Sequence, residues 1–331
     1  MRTSTGRHSS ARASANRASA ARVSAWIVNN MVLLGLVFLL VFFSLRNPLF
    51  FSFGNARSIL RQLAPIGIYS FPVALLLIAR SIDLSLGAVV GFASVIGIEV
   101  MNAAGLPAGI LAFLGVGLAA GVLNGALVSY AGLNPIIVTL GTQIVFRGLS
   151  LSVSGGRAGV PPAAFLRVFR SELFGFRPEV FLMIGVLILC WWVLHRSRIG
   201  RHLYAAGENE RVAFLMGVKV KRLQFLMHCV VGLTGGVVSI VSVAKLGLAA
   251  GSIGESMTLP VIIAVLLGGI DFGGGAGKIP GVIVGVFFIG ILEAGLLILG
   301  VTEFLQQVIV GAVLIVAIYT STLRRQRMLP K

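Results

Sequence analysis

The chain has 331 residues, 57% of them hydrophobic and 11% charged, with a mean hydropathy of +1.00. A soluble domain is about half apolar and about a quarter charged, so this composition excludes a soluble enzyme, which would expose aggregating apolar patches. The net charge is +17, yet the basic residues sit between hydrophobic runs and at the ends. No aromatic–basic stretch resembles a nucleic-acid module, so no nucleic acid is expected, and the charge reads as a topology signal for a protein in a lipid bilayer.

Residues 1–25 are rich in Ser, Ala and Arg and hold no acid. A transit peptide is one reading; a disordered basic cytoplasmic tail is preferred, because the run Trp26 to Leu45 is long enough to span rather than be cleaved. A second span from about Ile59 to Ala79 contains Pro65 and Pro72, which predict a kinked or broken helix. A third starts near Asp83 and ends near Met101. After the turn 102–107 a fourth runs to Tyr130, and Asn134-Pro135 starts a fifth that reaches Ser154. Residues 155–178, with paired Gly and paired Pro, form a loop with room for a short helix. Further spans cover Glu179 to His195, Phe225 to Lys245, Met257 to Ile270, Ile279 to Leu299 and Phe304 to Ser321. The whole predicts an all-α integral membrane protein of about ten spans, with a single transmembrane domain over 26–323 and a basic tail over 324–331.

Basic residues fix the expected orientation. With both ends inside, Arg2 to Arg22, Arg80, the cluster from Arg196 to Arg222, Lys278 and the C-terminal group are cytoplasmic. They outnumber Arg46, Arg57, Arg61, Arg157, Arg167, Arg170, Arg177 and Lys245 by roughly eighteen to eight.

Energy-transducing and catalytic signatures are missing. The nearest approach to a P-loop is Gly277-Lys278, but Phe272 and Ile279 stand where Gly and Ser or Thr are needed. The two cysteines, Cys190 and Cys229, read as small apolar residues, and the four histidines are scattered. Ion coupling would need ionisable groups deep in the membrane. Glu293 is the one acid well inside a span and Arg147 the one base. Glu293 can serve a helix–helix hydrogen bond, a water-facing cavity or a relay; Arg147 can serve a pairing across helices. Asp83 lies beside a span start.

The polar stretch 196–224 stays outside the membrane. Within it Asn209 is a helix N-cap candidate, Val212, Ala213, Leu215 and Met216 can make one apolar side, and Gly217 can end the helix. Such a helix needs a partner's groove or the membrane surface to cover it.

Four segments carry a resemblance. Ile82-Asp83-Leu84-Ser85-Leu86-Gly87, Asn134-Pro-Ile-Ile-Val-Thr-Leu-Gly-Thr142 with Arg147-Gly148, Tyr204-Ala-Ala-Gly207 with Asn209 and Gly217, and the glycine-rich stretch from Gly268-Gly269 to Gly281 fall in one order and spacing. From about residue 50 the chain resembles the permease subunits of bacterial ABC importers for simple sugars, the group of the ribose, xylose, arabinose and galactofuranose systems. The resemblance implies a type II ABC importer permease-like fold, N-in and C-in, in the bacterial inner membrane. It implies a second permease copy or paralogue, a periplasmic sugar-binding protein, and an ABC ATPase subunit that holds ATP and Mg. The chain itself would bind no cofactor or metal and would not be an enzyme. The coupling residues implied are Gly207, Glu208, Asn209, Ala213, Leu215 and Gly217. Two features depart from the family pattern: Arg80-Ser81 stand where two glycines are usual, and Phe214 and Met216 make the docking face more apolar.

Sugar recognition needs amides, hydroxyls or carboxylates. The polar groups beside the expected helix breaks are Ser85, Asn134, Thr139, Thr142 and Gln143, of which Thr139 shares a helix face with Thr142 and Gln143. Each Ser or Thr can instead bond to its own helix's carbonyls. Asp83, Arg147 and Glu293 are candidates for structural or gating roles. The competing expectations are a branched-chain amino-acid ABC permease, an ion-coupled secondary transporter or channel, and a membrane enzyme, the last without any catalytic constellation.

Overall fold

The computed structural model describes residues 30–328; the expected N-terminal tail and Trp26 to Asn29 lie outside that range. In chain order the helices are α1 (Asn30–Arg46), α2 (Phe53–Ile78), α3 (Leu86–Ala104), α4 (Leu106–Gly125), α5 (Pro135–Ser154), α6 (Ala163–Phe169) and α7 (Pro178–Arg196). They continue as α8 (Arg198–Glu208), α9 (Glu210–Leu215), α10 (Val220–Leu246), α11 (Thr258–Leu267), α12 (Ile279–Ile298) and α13 (Glu303–Met328). Among the described residues seven helices are long and apolar enough to cross a membrane: α2, α3, α4 with its terminal π turn, α5, α7, α10 and α12. Shorter apolar helices lie at Asn30–Arg46, Glu255–Leu267 and Phe304–Val316.

Three helices make the interior. α2, α3 and α10 are buried over most of their length, whereas α4, α5 and α7 turn most of theirs outward. Outward residues such as Ile137 and Ile144 on α5 or Ile188 and Leu189 on α7 are apolar, the arrangement expected where lipid is the solvent. α4 and α10 approach backbone to backbone: a Cβ on Gly117 would fall 2.4 Å from the Gly232 carbonyl oxygen, and one on Gly121 2.4 Å from that of His228. Small residues permit this contact, and dispersion over the whole length holds it.

Of the kink or break expected in α2, the structure shows no break. Pro65 and Pro72 both sit inside one continuous helix. Their missing N–H groups leave the Arg61 and Ile68 carbonyls without the usual helix partner, and the helix persists because Leu63 to Ile78 are buried on every side. Asn134-Pro135 begins α5, as expected: Asn134 Oδ1 accepts from the Ile136 and Ile137 N–H groups, and Pro135 occupies the first turn, where a missing donor costs nothing. The loop 155–177 contains the short α6. It is fastened to α2 by Arg57 and Arg61, both of which donate to the Glu172 carboxylate. α13 remains helical to Met328, past the start of the expected tail at residue 324.

Candidate functional site

α2 ties together two polar regions, one near each of its ends. At its C-terminal end, residues 79–85 form a buried loop that α4, α10 and α11 hold in place. Asp83 is 2% exposed. Its Oδ1 accepts from the Ser85 backbone N–H at 2.8 Å and the Ser85 hydroxyl at 2.6 Å. Its Oδ2 accepts from Asn124 Nδ2 at 3.0 Å, which also donates to Ser85 Oγ at 2.9 Å. His228 is fully buried on α10, with Nε2 bonded to Ser81 Oγ at 2.9 Å and Nδ1 3.7 Å from Asp83 Oδ2. Gln224 Nε2 donates to the Ala79 carbonyl at 3.1 Å, and Thr258 Oγ1 accepts from the Gly87 N–H at 3.0 Å. A carboxylate taken out of water must find such donors, and this one does. Arg80 in the same loop has φ of +62°, a left-handed conformation that glycine adopts without strain.

The same end carries the segment outside the spans. The expected single stretch over 196–224 is two helices, α8 and α9, and α10 takes up residues from Val220 onward. α8 is locked to the bundle: Tyr204 Oη donates to the Gly277 carbonyl at 2.6 Å. A Cβ on Gly207 would fall 2.0 Å from the Ile78 carbonyl oxygen and 2.3 Å from the Gly275 N. Gly275 N–H in turn donates to Ile78 at 2.9 Å. Only glycine fits there, so the end of α8, the end of α2 and the turn before α12 meet backbone to backbone. Asn209 caps α9 by accepting from the Val212 N–H at 3.1 Å, and Gly217, with φ of +84°, turns the chain out of it. Ala213 faces inward at 1% exposure, while Phe214, Leu215 and Met216 stand 71%, 76% and 77% exposed. Glu208 is exposed at the end of α8.

Near the other end of α2 is a cavity of about 860 Å³. It is a half-open cleft lined by the N-terminal half of α2 (Gln62, Pro65, Ile66), the C-terminal turns of α10 (Ser242, Lys245, Leu246) and α12 (Glu293, Leu297), the loop 252–257 with the start of α11, and the first turns of α13 (Gln306, Gln307, Val310). Among the described residues no aromatic side chain lines it. Glu293 is half-buried and makes no hydrogen bond or ion pair among the described residues; its electrostatic neighbour is Lys245. Glu255, also on the lining, forms an ion pair with Arg147 of α5, whose Nε lies 2.9 Å from Glu255 Oε1.

The candidate residues are therefore distributed rather than gathered. Glu293 lines the cavity and Arg147 acts at its edge through Glu255. Ser85 is absorbed by Asp83 and Asn124. Thr139 Oγ1 donates to the Pro135 carbonyl at 2.7 Å and Thr142 Oγ1 to that of Thr139 at 3.3 Å, the back-bonding alternative. Asn134 is a cap, and Gln143 is half-buried on α5 away from the cavity lining. Sequence reasoning missed Asn124 and His228 as partners of Asp83, and Gln62, Lys245, Gln306 and Gln307 as cavity groups. The amides carried a signal: Gln62 and the doublet Gln306-Gln307 interrupt apolar helices.

Comparison with known proteins gives the family. Residues 55–318 match the family described as branched-chain amino acid transport system / permease component. The chain is 33% identical over 294 residues to the autoinducer 2 import system permease protein LsrD of Photorhabdus laumondii, covering 86% of this chain and 87% of that protein. It is 34% identical over 290 residues to the ribose import permease protein RbsC of Bacillus subtilis, covering 86% and 90%. The LsrD protein of Klebsiella pneumoniae is 32% identical over 273 residues, covering 79% and 81%. No solved structure gives a significant match. The family match over most of its length, together with seven helices among the described residues that are long and apolar enough to cross a membrane, identifies the chain as a multi-pass inner-membrane transport permease of this family.

Proposed function

We propose that the chain is the membrane subunit of an ATP-binding cassette importer for a simple sugar of the pentose or hexose class, powered by ATP hydrolysis with Mg on a separate subunit. The observation that carries the reading is α9. Its capped helix holds Phe214, Leu215 and Met216 outward, and its root is packed into the ends of α2 and α12 through Gly207 and Tyr204. An apolar helix face of this kind fits a partner's groove. A push delivered there reaches the spanning helices through backbone contacts that have no soft side chain between them. The ATPase docks on residues 207–217, which places this end, the N-terminus and the C-terminus in the cytoplasm, in accord with the basic residues gathered there. A periplasmic binding protein delivers cargo at the opposite end, and a second permease copy or a paralogue completes the pathway.

The cargo assignment is supported by the ribose and autoinducer 2 permeases among the relatives and by the I-D-L-S-x-G and N-P-x-I-V-T-L-G patterns. The family description speaks of branched-chain amino acids, the competing cargo. The test is co-expression with neighbouring ATPase genes and co-purification in detergent. An ATPase co-purifies with the native chain and is lost when Leu215 and Met216 are replaced by Ser. A complex that survives replacement of residues 207–217 contradicts the docking assignment.

A further inference from the structure

The cavity between α2, α10, α11, α12 and α13 holds a set of groups that the helix packing does not use. Among its lining residues, Glu293 has no hydrogen-bond or ion-pair partner, although a carboxylate in a membrane bundle is costly without one. Lys245 faces the same space from the last turn of α10. Glu255 is held by Arg147, so its charge is already answered. Glu179 of α7 acts on Lys245 from outside the lining. The remaining polar groups, Gln62, Gln307 and the hydroxyls of Ser242, Ser252 and Ser256, can each both donate and accept. A lining of amides and hydroxyls around one unpaired carboxylate matches a cargo made of neighbouring hydroxyls, since a carboxylate accepts from two of them at once. Cations and anions are near balance, with acids slightly ahead, so an anionic cargo meets Glu293 and the unspent charge of Glu179 without an unopposed cation. A cavity of about 860 Å³ is within the range of small-molecule sites. With no aromatic platform among the described residues to stack a sugar ring, it holds cargo weakly, as a conduit requires.

We propose that this cavity is a transit site for uncharged polyhydroxylated cargo, with Glu293 accepting from cargo hydroxyls and Lys245 countering its charge, and that it rejects anionic sugars. The inference rests on the importer reading given above. It deepens that reading by placing cargo on residues that neither the family match nor the shared motifs single out.

The experiment is ligand-observed saturation-transfer NMR on the full chain in nanodiscs with its ATPase. The neutral probes are ribose and galactose, and the anionic probes are ribose 5-phosphate and galacturonate. The native complex shows contact with at least one neutral sugar and none with its anionic counterpart. Glu293→Gln weakens the neutral contact roughly tenfold or more and narrows the gap to the anion, because Glu179 alone then opposes Lys245. Co-elution of the ATPase with Glu293→Gln reports an intact fold. Should that variant fail to co-elute, Lys245→Gln provides the second reading: it leaves the neutral contact detectable and the anion still rejected. Equal contact with neutral and anionic sugars in the native complex overturns the inference. So does a neutral contact unchanged by both substitutions; in either case the importer reading stands. A native complex that holds its ATPase but contacts no probe overturns the sugar assignment and this inference with it.

Discussion

Asp83 and Glu293 are both carboxylates set among apolar helices, and the protein treats them in opposite ways. Asp83 receives a backbone N–H, a hydroxyl and an amide and is sealed from solvent. Glu293 receives nothing and faces open space. A carboxylate whose donors are all supplied by the protein is a joint, here holding α2, α3, α4 and α10 in register. One whose donors are withheld is left for something that arrives. The comparison locates the rigid end of the bundle beside α8 and α9 and the accommodating end around the cavity, with α2 running between them.

Breaking the joint has the largest expected effect. In Asp83→Asn the new amide turns a donor toward Asn124 Nδ2, and Asp83→Ala leaves the Ser85 N–H and hydroxyl without an acceptor and Asn124 with Ser85 Oγ alone. Each unpaired buried group costs about 1–3 kcal/mol, so both variants lose several kcal/mol and elute as aggregate in detergent size-exclusion chromatography. Monodisperse Asp83→Ala at native yield contradicts the assignment. Glu293→Gln is the counterpart. Its melting temperature by intrinsic fluorescence stays near the native value, while neutral-sugar contact falls by the factor given above. A melting loss as large as that of Asp83→Ala makes Glu293 a second joint and erases the contrast. Within the rigid loop, Arg80 tests how much strain it stores. Arg80→Val, a β-branched residue at positive φ, costs about 1–2 kcal/mol, whereas Arg80→Gly folds at native yield. Equal stability of the two variants shows that the loop relaxes.

A third carboxylate sharpens the contrast with the smallest effect. Glu172 lies on the loop beyond the spans and is exposed. Desolvation opposes its charged form, but the adjacent guanidiniums of Arg57 and then Arg61 outweigh it and hold the carboxyl below its ordinary 4.5. A lowered value means the tether is present above that pH and is lost as pH falls through the depressed value. Solvent screens the pair, so acidification or Glu172→Gln raises limited proteolysis of the loop 155–177 modestly and leaves the bundle intact. Unchanged cleavage in both conditions removes the tether from the account.

The spans, the caps at Asn134 and Asn209, and the turn at Gly217 were legible because each rests on local chemistry: apolar length, a side-chain acceptor, a left-handed residue. The tolerance of α2 for two prolines was not, since it depends on burial by helices distant in sequence. The sites divide in the same way. Thr139 and Thr142 offered pathway or back-bonding readings that sequence alone left open, and their bonds run to their own helix. Ser85 could not be seen as spent, because the partner that consumes it, Asn124, lies on another helix and His228 completes the cluster from a third. Lys245 read as a loop charge because its place is set by the end of α10 facing α12 and α13 across the cavity. Glu293 was visible as the lone acid within a span, but its freedom from partners is a property of the packed bundle.

The most direct test is uptake of radiolabelled ribose by proteoliposomes holding the chain with its ATPase, supplied with the binding protein outside and ATP inside. The account predicts accumulation that requires ATP and disappears when Leu215 and Met216 are replaced by Ser. Accumulation driven by a proton gradient alone, with no ATPase present, contradicts it.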